Sequence, residues 1–278
     1  MFKSGLYIVS TPIGNLNDIT FRSLEILKNS DIILCEDTRR SLKLLNNFNI
    51  KKKLISYHKF NEKKDLLKVI NYLKEGKILS LISDAGTPVL SDPGLILIRE
   101  CIKNNINVTP IPGASSITAA VSISGFDDKY LFYGFLPKTL NELNKILKEL
   151  RNINYSIVFF IPANKINFYL NSFKIFFSGR KLLIAREITK MYETFYRYEI
   201  DKIKLTDLNL KGELTVVISK KINKDTFKNS KEIHKQAMKY LKKYSVKDVV
   251  ELISIKEKIS KKEIYKICLT IKKDEKNS

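Results

Sequence analysis

The stretch at 62–94 reads EKKDLLKVINYLKEGKILSLISDAGTPVLSDPG, and it contains the repeating unit of the fold. Leu66, Leu67, Ile70 and Leu73 recur at helical spacing, and Gly76 stands where a helix stops. The run Ile78–Ile82 is short, apolar and bounded by turn residues, the composition of a strand buried on both faces. Two turns of small residues follow at once, Ser83-Asp84-Ala85-Gly86-Thr87-Pro88 and Ser91-Asp92-Pro93-Gly94. Helix, buried strand and small-residue loop in that order predict a parallel α/β sheet with a binding crevice at its strand ends.

The same rhythm extends upstream, with strand-like runs at 6–9, 32–34 and 54–56 separated by helical patterns near 19–28 and 38–48. A second rhythm begins after Pro110-Ile111-Pro112-Gly113, with strand-like runs at 130–132, 156–160, 181–185 and 214–219. Its candidates at 194–199 and 214–219 have no helix of clear period between them, which predicts a mixed or partly antiparallel second sheet. The chain is therefore expected to divide into α/β domains at 1–114 and 115–222, hinged near 111–118, and a basic helical extension at 223–278. From Lys220 onward 18 lysines face 8 aspartates and glutamates, so +10 of the chain's net +21 sits at the carboxyl end. Two helices are predicted there, at 245–256 and 260–271, each opening on a serine N-cap and joined near Ile259.

The totals narrow the class. The chain has 278 residues, 44% hydrophobic and 28% charged, which predicts a folded protein and excludes wholesale disorder. Its apolar runs fall far short of the roughly 20 residues needed to cross a bilayer. The amino-terminal run at 6–9 is too short for a signal-peptide core, so a cytoplasmic protein is expected. Cys35, Cys101 and Cys268 have no C-x-x-C spacing and read as buried small hydrophobes; with His58 and His234 they form no metal pattern. A pI near 9.7 suits a polyanionic partner, and it equally suits the lysine-rich composition of an A+T-rich genome.

Three loops converge on one edge of the first sheet. The earliest, Ser10-Thr11-Pro12-Ile13-Gly14-Asn15, lacks both G-x-G-x-x-G and G-x-x-x-x-G-K-[ST], which disfavours dinucleotide enzymes and P-loop nucleotidases. The second, at 83–94, spends two aspartates, three glycines or alanines and two prolines in a few positions, more than a turn requires. The third, at 110–116, opens a helix of small residues through Ala120.

These loops, with Leu6-Tyr7-Ile8-Val9, Glu36-Asp37-Thr38-Arg39, Gly134-Phe135-Leu136-Pro137, Ala185-Arg186-Glu187-Ile188-Thr189-Lys190 and Gly212-Glu213, resemble the tetrapyrrole methylase superfamily. Glu36–Arg39 is similar to the branch that methylates RNA ribose. The resemblance implies two α/β domains with S-adenosylmethionine in the cleft between them, no metal, and a homodimer. It further implies 2′-O-methylation of a cytidine in the decoding region of 16S ribosomal RNA within the small subunit. By the same resemblance Pro12, Gly14, Asp84, Ala85, Gly86, Pro88, Ser115, Thr118 and Ala119 line the cofactor site, and Leu214 and Thr215 close it.

Methyl transfer to a ribose hydroxyl demands alignment of the oxygen and removal of its proton. Charged residues after two strands are the candidates: Lys190 or Glu187 as base, Arg39 and Arg186 as phosphate or ribose clamps, and Asp37 beside them. A salt-bridge network across the domain boundary is the structural reading of the same residues. After Phe159-Phe160 the family usually has Glu and then a His-Arg pair; here stand Ile161 and Asn164-Lys165, which softens a charged surface. Two other functions stay open at this point, a tetrapyrrole C-methyltransferase and a catalytically impaired ribosome-binding protein.

Overall fold

The computed structural model describes residues 2–203, 210–221, 225–257 and 260–276. Strands β1 (Gly5–Val9), β2 (Ile32–Cys35), β3 (Lys53–Ser56), β4 (Ile78–Ile82) and β5 (Val108–Ile111) form a sheet in the order β3-β2-β4-β1-β5, and every pairing is parallel. Central strand β4 shows why. Leu79 and Leu81 point into a cluster with Val69, Ile70 and Leu73 of α3 (Glu62–Lys74) and Leu97 of α4 (Leu95–Lys103). Ile82 points the other way, towards Ile26 and Leu27 of α1 (Phe21–Asn29) and Leu45 of α2 (Thr38–Asn47). A strand apolar on both faces needs helices on both sides; the sheet is parallel as predicted, and it is doubly wound.

One detail of the predicted α3 face is corrected. Leu67 is 74% exposed, and Val69 takes its place in the core. Positions 66, 69, 70 and 73 keep a single stripe, from which 67 is turned by about 100°.

Residues 112–115 carry the chain to a second sheet, made of β6 (Tyr130–Phe135), β7 (Ser156–Pro162), β8 (Lys181–Arg186), β9 (Thr194–Glu199) and β10 (Glu213–Ile218) in the order β6-β7-β10-β8-β9. Only β6 and β7 are parallel; β10 runs antiparallel to β7 and β8, and β9 to β8. The mixed sheet was the expectation. Ile117 and Ala120 of α5 (Ser116–Ser124) pack on one face with Val158, Leu183 and Val217. Leucines of α6 (Leu140–Leu150) and Phe173 of α7 (Ile166–Phe176) cover the other with Phe159, Ile184 and Val216. Both sheets lie in one unit, Met1–Lys221.

The second unit, Ile222–Ser278, is helical. Helices α8 (Asp225–Leu241), α9 (Val246–Glu257) and α10 (Lys261–Lys276) share a core of Ile233, Ala237, Val249, Ile253, Ile264, Cys268 and Ile271. The predicted serine cap of α9 forms: Asp248 N donates to Ser245 Oγ at 3.3 Å, and that hydroxyl donates to Asp248 Oδ2 at 2.6 Å. Helix α8 escaped the sequence reading, α10 runs five residues past its predicted end, and the joint placed near Ile259 lies outside the described residues. All three cysteines are buried thiols, and no described helix is long and apolar enough to cross a membrane.

Candidate functional site

Because β4, β1 and β5 are neighbours pointing the same way, the loops leaving their carboxyl ends meet. Thr11 and Gly86 exchange two backbone hydrogen bonds, of 2.9 and 3.0 Å. The Ser10 and Thr87 hydroxyls are 3.0 Å apart, and Thr87 Oγ1 donates to Ala114 O at 3.3 Å. The three predicted loops are thus laced into one wall. Within it Val89 and Ser91 adopt φ of 74° and 73°, a conformation that a β-branched residue takes only at a cost of order 1–3 kcal/mol.

The opposite wall follows from strand direction in the second sheet. Since β7 and β8 both run antiparallel to β10, their carboxyl ends flank its start: Pro162 pairs with Glu213, and Arg186 with Leu214. The loop after β8 turns on two left-handed residues, Glu187 at φ 49° and Thr189 at φ 66°. Charge holds that turn. Lys190 Nζ donates to Glu187 Oε1 at 3.0 Å and to Glu213 Oε2 at 2.8 Å, while Glu213 N donates to Glu187 Oε1 at 2.8 Å. Arg186 Nε donates to Lys211 O at 2.7 Å, which braces the same corner.

Two glycines fit these parts together. A Cβ on Gly212 would stand 2.5 Å from the Glu187 carboxyl carbon, and its φ is 97°. A Cβ on Gly14 would meet Lys190 Cγ at 2.5 Å and Ile188 O at 3.1 Å. Beside it Asn15 N donates to Thr189 Oγ1 at 3.0 Å, so the first wall's β1 loop docks on the second wall's β8 loop.

Between the walls lies a cavity of about 470 Å3, inside the roughly 300–1,000 Å3 of small-molecule sites. Of the sequence-predicted cofactor residues, Asp84, Ala85, Gly86 and Ser115 line it from the first wall, and Leu214 and Thr215 from the second. Pro12, Gly14, Pro88, Thr118 and Ala119 are not among its lining residues; Pro12 and Pro88 are buried in the loops behind it. Of the predicted catalytic group, Glu187 and Lys190 line the cavity, whereas Asp37, Arg39 and Arg186 do not.

Asp37 caps α2, accepting from Arg39 N at 2.9 Å and from the Arg39 guanidinium at 3.0 and 3.2 Å. Those bonds pull its carboxyl down to about 2. The lining arginine is the next residue, Arg40, 3.1 Å from Asp84. The cap was readable, and it fixes residue 40 in the first helical turn; the sequence motif simply stopped one residue early.

Asp92 is another lining residue not chosen from sequence. It lines the cavity with its carboxyl raised to about 6 by burial, by Glu36 and by Asp84, against an opposing hydrogen bond with Ser83. Glu36 is raised as well, by burial and then by Asp84. On the second wall burial would raise Glu187, but the Glu213 amide and Lys190 overcome it and the net shift is downward. Lys190 goes up, because its two carboxylate partners outweigh its burial. Aromatic residues add a stacking surface: Phe135 and Phe160, rings 5.4 Å apart, both line the cavity. Ile161, the departure noted in the sequence, is buried and also lines it.

A family profile for tetrapyrrole (corrin/porphyrin) methylases matches residues 5–204. A protein from Rickettsia prowazekii named ribosomal RNA small subunit methyltransferase I is 42% identical over 277 residues, 96% of this chain and 97% of that one. A Thermotoga maritima protein of the same name is 44% identical over 220 residues, 78% of this chain and 98% of its own length. Among solved structures, uroporphyrin-III C-methyl transferase from Thermus thermophilus complexed with S-adenyl homocysteine superposes with a TM-score of 0.56 at 12% identity, over 77% of this chain and 97% of that one. The profile covers well over half the chain and the Rickettsia relative nearly all of it, so this protein belongs to the tetrapyrrole methylases, a family of S-adenosylmethionine-dependent methyltransferases.

Proposed function

We propose that the chain transfers the methyl group of S-adenosylmethionine to the ribose 2′-oxygen of a cytidine in the decoding region of 16S ribosomal RNA, acting on the small subunit in the cytoplasm as a homodimer. One observation carries the reading: the three loops that resemble the tetrapyrrole methylases border one cavity with titratable groups on both walls, and the helix that starts from the RNA-like stretch Glu36–Arg39 adds Arg40 to its lining. The relatives named for small-subunit ribosomal RNA support the substrate, while the tetrapyrrole alternative has behind it the family profile, shared by both readings, and a likeness of fold at 12% identity.

The cavity's donor set fits the cofactor. Asp84 and Asp92 offer negative charge to an ammonium and a sulfonium, Arg40 offers a fork to a carboxylate, and Ala85 and Gly86 let backbone come close. When bound, S-adenosylmethionine supplies an electrophilic methyl group on a positively charged sulfur. The protein's share is alignment and proton removal. Asp92, with a carboxyl near 6, is the acceptor best matched to neutral pH. Glu187, held low and hydrogen-bonded, is the second candidate. Lys190 is kept protonated by two carboxylates, so its role is that of a cation facing the ribose and phosphate rather than a base. Arg39, exposed one residue before Arg40, serves as a phosphate clamp at the rim, and Arg186 positions the β8 corner. Phe135 and Phe160 offer faces for the base.

The test is tritium transfer from labelled S-adenosylmethionine to small subunits lacking the modification, followed by nuclease mapping and nucleoside analysis. Label on a cytidine 2′-oxygen is expected. Cofactor binding with no transfer to RNA would sink the reading. Light scattering of the pure protein checks the homodimer.

A further inference from the structure

The second unit is charged out of proportion to its size. Residues 222–278 hold 16 lysines against 8 aspartates and glutamates, and no arginine. Its core uses one face of α10, where Ile264, Cys268 and Ile271 are buried and Ile267 partly so. The opposite face carries Lys262, Tyr265, Lys266 and Leu269, again at spacings of three and four, and all are exposed. Tyr265 is 50% and Leu269 42% exposed. Lys261 is committed to Glu251 at 3.3 Å, but Lys262 and Lys266 pair with no carboxylate among the residues whose side chains are described.

Lysines alone would make a solvated face. The ring between them adds a surface that water does not call for: ammonium groups one turn apart can follow ribose–phosphate while the aromatic face takes an unpaired base. A membrane is the poorer partner, because α10 has already spent its apolar face on the unit's own core. The Thermotoga maritima relative is used up by 220 matched residues, so it has no counterpart for about a fifth of this chain.

We propose that the outer stripe of α10, Lys262, Tyr265, Lys266 and Leu269, docks single-stranded or looped RNA of the small subunit, with phosphates on the lysines and a base on Tyr265. The proposal rests on the RNA reading above. The test compares three full-length variants with wild type: Lys262→Glu with Lys266→Glu, Tyr265→Ala, and a control of equal charge change on α3, Lys63→Glu with Lys64→Glu. Circular dichroism first checks that each variant is folded. The stripe variant is expected to raise KM for unmodified subunits about 10-fold and to flatten the salt dependence of RNA binding by about 1.5 in log–log slope. Tyr265→Ala should weaken binding about five-fold. kcat at saturating subunits and affinity for S-adenosylhomocysteine should not move.

Equal losses in stripe and control would overturn the proposal, since net charge would then be the cause. Losses seen with intact subunits but absent with protein-free 16S RNA would overturn it in favour of an acidic protein surface. If the wild type methylates no RNA, the functional reading fails by itself, and the ratio of RNA affinities between stripe and control still decides the stripe.

Discussion

The two walls of the cavity treat their carboxylates in opposite ways. On the first, Asp92 sits among Glu36 and Asp84, and burial with like charge lifts its carboxyl to about 6. On the second, the Glu213 amide and Lys190 hold Glu187 below its ordinary range despite burial. One wall keeps a group able to exchange a proton near neutrality; the other keeps fixed charge in a fixed place. Environments that push like groups apart in this way divide acid–base work from positioning. Backbone follows the same division, for the first wall is laced by main chain and small hydroxyls, the second by an ion-pair network around two left-handed residues.

The largest break in this contrast is expected at Asp92. If it accepts the proton, Asp92→Asn lowers kcat by about 100-fold or more, and the fall of the wild-type rate as pH drops through about 6 disappears from what activity is left. Stability provides a second readout with a definite sign. A carboxyl raised from 3.8 to about 6 binds its proton more tightly in the folded state. Its stabilising contribution is complete below 3.8 and gone once pH passes about 6. Asp92→Asn should therefore raise Tm relative to wild type more at pH 8 than at pH 5. An equal shift at both values would assign Asp92 to the solvent.

Next comes the seam. Gly14→Ala would place a methyl group against Lys190 and the Ile188 carbonyl, forcing the β8 loop off the β1 loop. Displacements near 1 Å at a reacting centre cost about 100-fold, and kcat/KM should fall by that order with little loss of Tm. A variant that loses stability but no activity per folded molecule would show that the two walls need not touch.

How far this site was legible follows from what builds each wall. The first wall is local: a buried strand, then small residues, repeated three times, so period and punctuation in 62–94 and its neighbours predict the sheet and the loops that border the cavity, although only four of the nine residues that the resemblance named there line it. The second wall is made by partners far apart in the chain. Nothing near Glu187 announces that its carboxyl will bond the amide of Glu213 or fill the space over Gly212. Sequence could therefore nominate Glu187 and Lys190 as charged residues after a strand and offer a salt-bridge network as their other reading, yet not foresee Glu213 as the third member. Arg40 and Asp92 escaped for a subtler reason, since which member of a polar run faces a cavity depends on helix phase and loop path. Leu67 illustrates it on an apolar face, where three of four positions were right and the phase excluded the fourth.

The second wall's fixed charge gives a milder test. Lys190→Met removes the cation between Glu187 and Glu213, leaving Glu187 its bond to the Glu213 amide alone. Activity should fall about 10-fold, through KM more than kcat, and Lys190→Arg should restore most of it. A collapse of kcat at high pH in Lys190→Met, with a rescue by small amines, would instead make Lys190 the base.

The smallest expected effect separates adjacent arginines on the first wall. Arg40 lines the cavity beside Asp84, whereas the Arg39 side chain is 87% exposed and bonded to Asp37 in its own turn. Arg40→Ala should lower affinity for S-adenosylhomocysteine about five-fold by calorimetry. Arg39→Ala should leave that affinity unchanged and raise KM for small subunits about two-fold, an effect that fades in high salt because an exposed charge is screened. Should Arg39→Ala weaken cofactor binding and Arg40→Ala leave it alone, the helical phase assigned to this turn would be wrong, and the first wall would owe its positive charge to the residue that the family motif contains.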